Sequence, residues 1–369
     1  LAWDFERENQ IGEEMDSDYL AAWIGYHLPR EELWFQVARK LLVEDAPDLM
    51  AVMFDGTDKI QHQAWIYLDP DFQPAQPDRT HRELRDLCLT YFRRLDGYLA
   101  ELVRLAGPDA QVFMASDHGF TASSRVVRIN RYLAELGHLV YQDVADSDAA
   151  RRRAASPFAF LDWHKTVAYC PTPSSNAIHI RVAREPGQPG ISPDDYPAFR
   201  ARLIEQLYAL RDPATGEPVV RDILTREAAF PGQASPEAPD LTLVLADYGF
   251  VSIRNLEPAV FTRPSPVGTH HPDGIVLAGG LHPGRHDEPL PIADIAANLL
   301  YSLDLPIPND LDGRLMAACF TPEQLRERPI RFGPPTRPVR DGVVQDAAIP
   351  AEDRDKILAQ LAMLGYLEE

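Results

Sequence analysis

The stretch DLMAVMFDGTDKIQH, residues 48–62, decides how this chain is interpreted. Its apolar run Leu49–Phe54 leads into Asp and Gly, which is typical of a buried strand that gives way to a loop at its carboxyl end. The stretch QVFMASDHGF, residues 111–120, has the same arrangement, and a third apolar run, GIVLAG, occupies residues 274–279. We therefore predict three core strands, at 49–54, 111–115 and 274–279, with polar residues beside their ends.

Apolar residues at helical spacing separate these strands. They predict helices over residues 31–44, 81–106, 129–137 (with Gly137 as its C-cap), 195–210 and 291–303. Strands that alternate with helices predict an α/β domain with a mainly parallel sheet. In such sheets ligands gather at the carboxyl ends of the strands, so the polar residues that follow each apolar run are the ones to consider for function.

The middle of the chain differs from its flanks in the length of its apolar runs and in its content of proline and glycine. Short strands within TVAYC, AIHIRV and LTLVLA alternate with loops rich in proline and glycine, which predicts a smaller lobe inserted into the core. We therefore divide the chain into core residues 1–149, an inserted lobe at 150–265 and continued core at 266–327. Residues 328–369 then hold a linker, at 328–339, and an amphipathic C-terminal helix over 352–369.

Composition excludes several classes of protein. The 369 residues include 36 Lys and Arg against 56 Asp and Glu, a net charge of −20, which argues against a nucleic-acid-binding surface. Nowhere do 18 apolar residues follow one another, so no membrane span is expected. The three cysteines, Cys88, Cys170 and Cys319, are far apart, which favours a reducing, cytoplasmic location in a bacterial cell, with export as the alternative.

Three places after or before the predicted strands carry metal-ligand side chains. Asp58 and His62 stand four apart, a spacing that puts both on one face of a helix. Asp117 is followed by His118, and two further histidines, His270 and His271, precede the third strand. Taken singly, such residues are more often solvated surface groups. Together, histidines and carboxylates without cysteine favour Zn²⁺ or Mn²⁺ over Ca²⁺ or an iron–sulfur cluster, and two such sets would suit phosphoryl transfer.

The ordered motifs DGTDKIQHQAW, FMASDHGF and GTHHPDGIVLAGG resemble the type I phosphodiesterase/nucleotide pyrophosphatase family of the alkaline phosphatase superfamily. They match its D-x-x-x-H, S-D-H-G and G-x-H patterns in turn, and the resemblance covers most of residues 45–320. It implies an alkaline-phosphatase-like three-layer α/β/α sandwich with a mainly parallel sheet and an inserted smaller lobe. It also implies two divalent metal ions, most often Zn²⁺ with Mn²⁺ as the alternative, and a small-molecule phosphoester substrate.

Carried over position by position, the family pattern assigns Asp58, His62 and His270 to one metal ion and Asp117 and His118 to the second. His270 fits the pattern better than His271 does, because the family ligand follows Gly-x directly. The other seven histidines match no ligand position. The family also uses an Asp on its first core strand and a Thr or Ser nucleophile, whereas residues 1–54 contain no Thr and a single Ser, Ser17. We therefore expect the catalytic nucleophile upstream of Leu1.

The resemblance implies hydrolysis of phosphoric esters, of the phosphodiesterase or nucleotide pyrophosphatase type. Two alternatives stay open from the sequence. Another hydrolase or mutase of the superfamily, such as a sulfatase or a phosphomutase, would share the metal ligands. A non-catalytic metal-binding relative would retain the ligands without the nucleophile. The substrate and the oligomeric state are not indicated by any motif.

Overall fold

The computed structural model describes residues 16–142, 158, 160–232, 238–279 and 289–336. These residues fall into two compact units. The first unit holds the residues up to 110 together with 116–275, and the second holds 111–115 together with those from 276 onward. All of the predicted ligand residues belong to the first unit.

Helices and strands alternate irregularly along the chain. The helices are α1 (Ser17–Glu44), α2 (Gly56–Leu68), α3 (Arg79–Ala106), α4 (Ile129–Glu135), α5 (Tyr196–Tyr208), α6 (Arg226–Ala229), α7 (Asp294–Ser302) and α8 (Pro322–Glu327). The strands are β1 (Val112–Ala115), β2 (Gly119–Arg128), β3 (Ala168–Tyr169), β4 (Ala177–Ile180), β5 (Val220–Thr225), β6 (Leu241–Leu245), β7 (Val251–Ser252), β8 (Val260–His271), β9 (Val276–Gly279), β10 (Ile307–Pro308) and β11 (Phe332–Gly333). The structure is therefore a mixed α/β one, as predicted.

The N-terminal part of the first unit is helical. Helix α1 begins at Ser17, well before the predicted start at residue 31, and is capped by Asp16, which accepts a hydrogen bond from the Tyr19 N–H. Helix α3 confirms the prediction over 81–106, and one of its faces is buried, with Leu84, Cys88, Tyr91 and Leu95. Helices α1, α2 and α3 share one core, whose largest fully buried side chains are Trp23, Ile24, Ile60, Leu84 and Tyr91. This core fixes helix α2, which carries Asp58 and His62.

The strand predicted at Leu49–Phe54 is wrong. These residues form no regular element, and the side chains of Leu49 and Met53 are 51% and 78% exposed. An apolar run predicts burial, but a strand also requires a neighbouring backbone with which to form hydrogen bonds. Among the described residues none pairs with this segment, which instead connects α1 to the first turn of α2.

The mainly parallel sheet is also not confirmed. Five of the seven strand pairs are antiparallel, and only the β2–β7 and β10–β11 pairs are parallel among the described residues. Strands β1 and β9, predicted as core strands of a parallel sheet, pair with each other in antiparallel register. Apolar runs between helices predict that strands exist, but the direction of pairing depends on partners far away in the sequence.

Strands β2 and β8 form the long antiparallel ribbon of the first unit, and β7 pairs with the other edge of β2. Strand β8 was not predicted, because Pro264 and Pro266 cannot donate to a ladder and argue against a strand. The structure accommodates both prolines in a bulge opposite Ser124, since the register shifts between Ser123 and Arg125. Strand β8 is moreover the edge of its three-stranded sheet, where prolines are tolerated.

A second sheet of the first unit has the strand order β3-β4-β6-β5. The short strands predicted in TVAYC, AIHIRV and LTLVLA are confirmed as β3, β4 and β6, and the predicted helix at 195–210 is α5. Helices α4 and α5 and this sheet share a core that includes Ile129, Leu133, Ile178, Leu203, Leu207 and Leu241. Gly137 was predicted as the C-cap of the helix at 129–137, but the C-cap is Leu136, and Gly137 is the next residue, with a φ of +76°. The boundaries of the inserted lobe stay a prediction.

The second unit combines the β1–β9 pair with the C-terminal elements. Helix α7 confirms the prediction over 291–303, and Ala297, Tyr301, Ile307 and Phe320 form a small core around it. Part of the predicted linker forms strand β11, which pairs with β10. The helix predicted at 352–369 lies outside the described residues. No helix in the described ranges is long and apolar enough to cross a membrane.

Candidate metal centre

One carboxylate and three imidazoles meet where helix α2 packs against the β2–β8 ribbon. Asp58 and His62 belong to α2, His118 directly precedes β2, and His270 lies at the end of β8. The ligand atoms that Asp58, His118 and His270 offer all lie within 4.8 Å of one another. Long-range pairing thus joins residues that are more than 200 positions apart in the sequence.

Helix α2 presents Asp58 and His62, two of the predicted ligands, on one side, as their spacing predicts. The Nε2 atom of His62 lies 3.4 Å from Oδ1 of Asp58. Both side chains are partly buried, because strand β8 packs along the same side of the helix. The local part of the predicted site is therefore present in the fold.

His270 closes the cluster from the strand side. Its Nε2 atom lies 3.1 Å from Oδ1 of Asp58 and 2.9 Å from Nε2 of His62. The His118 Nε2 atom is 3.6 Å from the same Asp58 oxygen, and the His118 ring stacks on the His270 ring with 3.5 Å between centroids. Lone pairs of oxygen and nitrogen that face one another at these distances require a shared proton or cation between them. The donor set therefore fits a divalent metal ion.

The ribbon determines which of the two neighbouring histidines faces the cluster. Phe120 on β2 is the direct partner of His270 on β8, and directly opposed residues of an antiparallel pair project from the same face. Successive residues of a strand point to opposite faces, so His271 points away. Its Nδ1 atom accepts the Asp273 N–H at 3.1 Å, and its ring packs edge-on against Tyr248.

Backbone carbonyls orient two of the imidazoles. The Nδ1 atom of His62 lies 2.9 Å from the Gly268 oxygen, and that of His118 lies 3.1 Å from the Gly119 oxygen. A carbonyl oxygen only accepts, so each Nδ1 carries the hydrogen, and in a neutral ring Nε2 then keeps its lone pair. Metal-ligating histidines are usually held by such a bond on their other ring nitrogen. These two are thus in the tautomer that a metal ion requires.

Two glycines allow the backbones around the cluster to approach closely. A Cβ atom on Gly268 would lie 2.0 Å from the carbonyl oxygen of Gln61, the residue before His62. A Cβ atom on Gly119 would lie 2.0 Å from the carbonyl oxygen of Asp273. No other residue fits at either position without moving the strand, so the glycine of the G-x-H motif determines how closely β8 packs on α2.

Burial and the neighbouring charges pull the pKa values of the cluster in different directions. Burial lowers the pKa of His62, but the hydrogen bond and charge of Asp58 and the Gly268 carbonyl outweigh it, and the net pKa is raised. Burial and the charges of His118 and His62 lower the pKa of His270. Burial raises the pKa of Asp58, but the three histidines outweigh it and keep that pKa below its usual value. The carboxylate is therefore ionised, and His270 is more readily neutral than an ordinary histidine.

Asp117 occupies the margin of the cluster. Its side chain is 82% exposed, and its Oδ2 atom lies 3.7 Å from Nε2 of His118. His118, which the resemblance assigns to a second metal ion together with Asp117, is as close to Asp58 as it is to Asp117. Four of the five predicted ligands are therefore gathered tightly, with Asp117 beside them.

An aromatic wall next to the cluster was not predicted. The Phe120 ring centroid lies 5.0 Å from that of His62 and 5.5 Å from those of His118 and His270. Phe250 packs edge-on against His270 at 5.0 Å. Apolar surroundings restrict solvent and lower the local dielectric constant, which tunes a metal site. The position of Phe120, two residues after His118 on the same face, is the sequence signal for it.

The remaining histidines lie elsewhere, as expected for residues that match no ligand position. His27 and His138 are buried, His81 and His179 are partly buried and His164 is exposed. His282 and His286 lie outside the described residues. None of the five described ones is part of the cluster.

The site and the fold around it define a candidate divalent-metal centre in an α/β protein. The family model for type I phosphodiesterase / nucleotide pyrophosphatase matches residues 3–273, nearly three quarters of the chain, and the chain belongs to this family. The family is typically metal-dependent, and its members hydrolyse phosphoesters. No curated protein and no solved structure matches the chain significantly.

Proposed function

We propose that this protein is a metal-dependent hydrolase of phosphoric esters, of the phosphodiesterase or nucleotide pyrophosphatase type. One observation carries the proposal. In a chain of this family, Asp58 Oδ1 lies within 3.6 Å of the Nε2 atoms of His62, His118 and His270. Such a convergence of one carboxylate and several imidazoles is the donor set of catalytic zinc sites.

The ligands divide between two ions in this proposal. Asp58, His62 and His270 would hold one ion, and Asp117 and His118 would hold the second. Zn²⁺ suits a set of histidines and carboxylates best, and Mn²⁺ is the alternative. The distance of 3.6 Å between Oδ1 of Asp58 and Nε2 of His118 supports two ion sites that adjoin each other rather than two that are far apart.

The protein residues have distinct tasks around the ions. When bound, a divalent ion neutralises charge on the phosphoryl oxygens and lowers the pKa of a coordinated hydroxyl group. Asp58 supplies negative charge to that ion, while Gly268 and Gly119 hold His62 and His118 with Nε2 free. Phe120 and Phe250 exclude water from one side. The substrate is a small-molecule phosphoester, and the nucleophile is not assigned to a residue of the chain.

Hydrolysis of an aryl phosphodiester tests the proposal. We expect slow turnover of bis(4-nitrophenyl) phosphate, because no nucleophile is assigned within residues 1–369 and a bound ion would activate only a water molecule. This turnover should be lost on chelation and restored by Zn²⁺. Asp58→Asn should abolish this turnover, because it removes the anionic ligand but preserves shape. Asp96→Asn, which changes an exposed carboxylate on α3, is the matched control and should retain wild-type turnover.

Parallel assays with an aryl phosphomonoester and an aryl sulfate separate the related activities. Faster turnover of the diester is expected. Faster turnover of the sulfate would contradict the assignment to phosphodiesters. Turnover that survives both chelation and Asp58→Asn would contradict a role for the metal centre, and a zinc-loaded protein without turnover on any of the three would contradict hydrolysis itself.

A further inference from the structure

A buried glutamate outside the metal cluster holds the helix that carries two of the ligands. Glu31 is on α1 and is only 2% exposed. Its Oε1 atom accepts the backbone N–H of Gly56 at 3.1 Å, and Gly56 is the first residue of α2. The contact joins two elements 25 residues apart, and no sequence motif indicates it.

The first turn of α2 lacks the usual local cap. The N–H groups of a first helical turn have no partner within the helix, and a side chain of the N-cap residue commonly accepts one of them. Here the N-cap residue Asp55 makes no such bond. Its carboxylate instead pairs with Arg30, with Nη2 to Oδ2 at 3.0 Å, and with Lys59, with Nζ to Oδ2 at 3.1 Å. Glu31 therefore supplies the acceptor that the helix itself does not.

The fit around Gly56 is close. A Cβ atom on Gly56 would lie 2.4 Å from Oε1 of Glu31 and 2.5 Å from the hydroxyl oxygen of Tyr91 on α3. Tyr91 is itself buried, at 1% exposure. The first turn of α2 is thus held between α1 and α3, and only a glycine allows the Glu31 carboxylate to come this near.

Burial of the Glu31 carboxylate is unfavourable for the stability of the fold by itself. A buried carboxylate loses its hydration, and a well-packed apolar side chain of similar volume is often at least as stabilising. Arg30 lies 3.2 Å from Oε1 of Glu31 and binds Asp55 as well, so the charges form a small network. Glu31 contacts Gly56 and Arg30 contacts Asp55, so the network holds the two residues that precede Thr57 and Asp58.

Because Gly56, Asp58 and His62 belong to one helix, the contact of Glu31 with Gly56 also fixes the positions of the two proposed ligands. Asp58 follows Gly56 by two residues, or about 3 Å along the helix axis at 1.5 Å per residue. His62 follows four residues later, where Gly268 fixes the other side of the helix. We propose that Glu31 is a positioning residue, which fixes the first turn of α2 so that Asp58 and His62 face His270. This inference rests on the proposed metal centre.

Three substitutions of Glu31 test the proposal by calorimetric titration with Zn²⁺. Glu31→Gln retains an oxygen at the position of Oε1 and should bind Zn²⁺ within about threefold of the wild type. Glu31→Asp retains the charge but is one methylene too short to reach Gly56. We expect Glu31→Asp and Glu31→Ala to weaken Zn²⁺ binding about 10–100-fold, the range seen when a residue that orients metal ligands is changed.

Asn130→Ala is the matched control. Asn130 is fully buried, bonds both backbone groups of Cys170 and takes no part in the metal cluster. Urea unfolding of each variant measures stability separately. Asn130→Ala should lose stability while it retains wild-type affinity for Zn²⁺. If Glu31→Ala does not fold, the comparison of Glu31→Gln with Glu31→Asp decides.

Equal affinity of the wild type, Glu31→Gln and Glu31→Asp would overturn the positioning role. Weaker binding by Glu31→Gln than by Glu31→Asp would also overturn it. The negative charge of residue 31 would then determine Zn²⁺ affinity, and the contact of its side chain with Gly56 would not. Failure of the proposed function is distinguishable from both results. In that case the wild type itself binds no Zn²⁺, or it binds Zn²⁺ and hydrolyses no phosphoester.

Discussion

The backbone carbonyl of Gly268 accepts a hydrogen bond from Nδ1 of His62 at 2.9 Å. This bond ties the strand that carries His270 to the helix that carries Asp58 and His62. It also sets the tautomer of His62, so that Nε2 faces Asp58 and His270. The G-x-H motif thus contributes one proposed ligand, His270, and through its glycine it orients a second proposed ligand, His62.

Gly268→Ala should weaken metal binding although it removes no ligand. The added methyl group would lie 2.0 Å from the Gln61 oxygen, so strand β8 must move away from α2 and lengthen the bond to His62. We expect an affinity for Zn²⁺ about 10–100-fold below that of the wild type, measured by calorimetric titration. Gly97→Ala, on α3 with no atom within 4 Å of the new methyl group, is the control. Equal affinities for the two variants would refute the role of the close approach.

His270→Ala and His271→Ala should differ in metal content. His270 is on the face of the ribbon that meets α2, whereas Nδ1 of His271 accepts a hydrogen bond from Asp273. After dialysis against Zn²⁺-free buffer, elemental analysis should show depleted zinc in His270→Ala and nearly wild-type zinc in His271→Ala. The reverse order would show that the family motif has been aligned one residue off.

The buried His27 should make the protein less stable in mild acid. Burial, assisted by the charge of Arg30, lowers its pKa to about 4, and Asp55 offsets this only in part. Because the unfolded chain takes up a proton near pH 6.5 and the folded one does not, stability is fully present above pH 6.5. It falls as the pH drops from 6.5 towards 4. For these two pKa values the loss between pH 7 and pH 5 is about 2 kcal/mol.

Urea unfolding of the wild type and of His27→Leu at pH 7 and pH 5 isolates this contribution. Other titrating groups, including His62 with its raised pKa, are shared by both proteins and cancel in the difference. The wild type should lose about 2 kcal/mol more than His27→Leu does. An identical loss in both proteins would mean that His27 is protonated in the folded state as readily as in the unfolded one.

Local spacing made part of the centre predictable. The spacing of Asp58 and His62 requires only a helix, and helix formation at these residues depends on nearby sequence. The convergence of His118 with His270 depends on the pairing of β2 with β8, across about 150 residues. Pro264 and Pro266 argue against a strand, so the sequence indicated a loop where the structure has strand β8. The family pattern, and not periodicity, brought His270 into the predicted set.

Other features could not be found from the sequence for a different reason. Leu49–Phe54 is apolar enough for a core strand, but strand formation depends on a partner that the pattern does not specify. Glu31 is one of four acidic residues on the long helix α1, and no local pattern distinguishes it from the others. Its bond to Gly56 follows from how α1 packs against α2, which is a tertiary contact and leaves no trace in local sequence.

Anomalous X-ray diffraction at the zinc absorption edge, on crystals grown with Zn²⁺, tests the central claim most directly. We predict an anomalous peak within coordination distance, about 2.0–2.2 Å, of Oδ1 of Asp58 and Nε2 of His270, and no such peak in crystals of Asp58→Asn. A peak bound by His271 or by unrelated surface residues, or no peak at Asp58 in the wild type, would contradict the account.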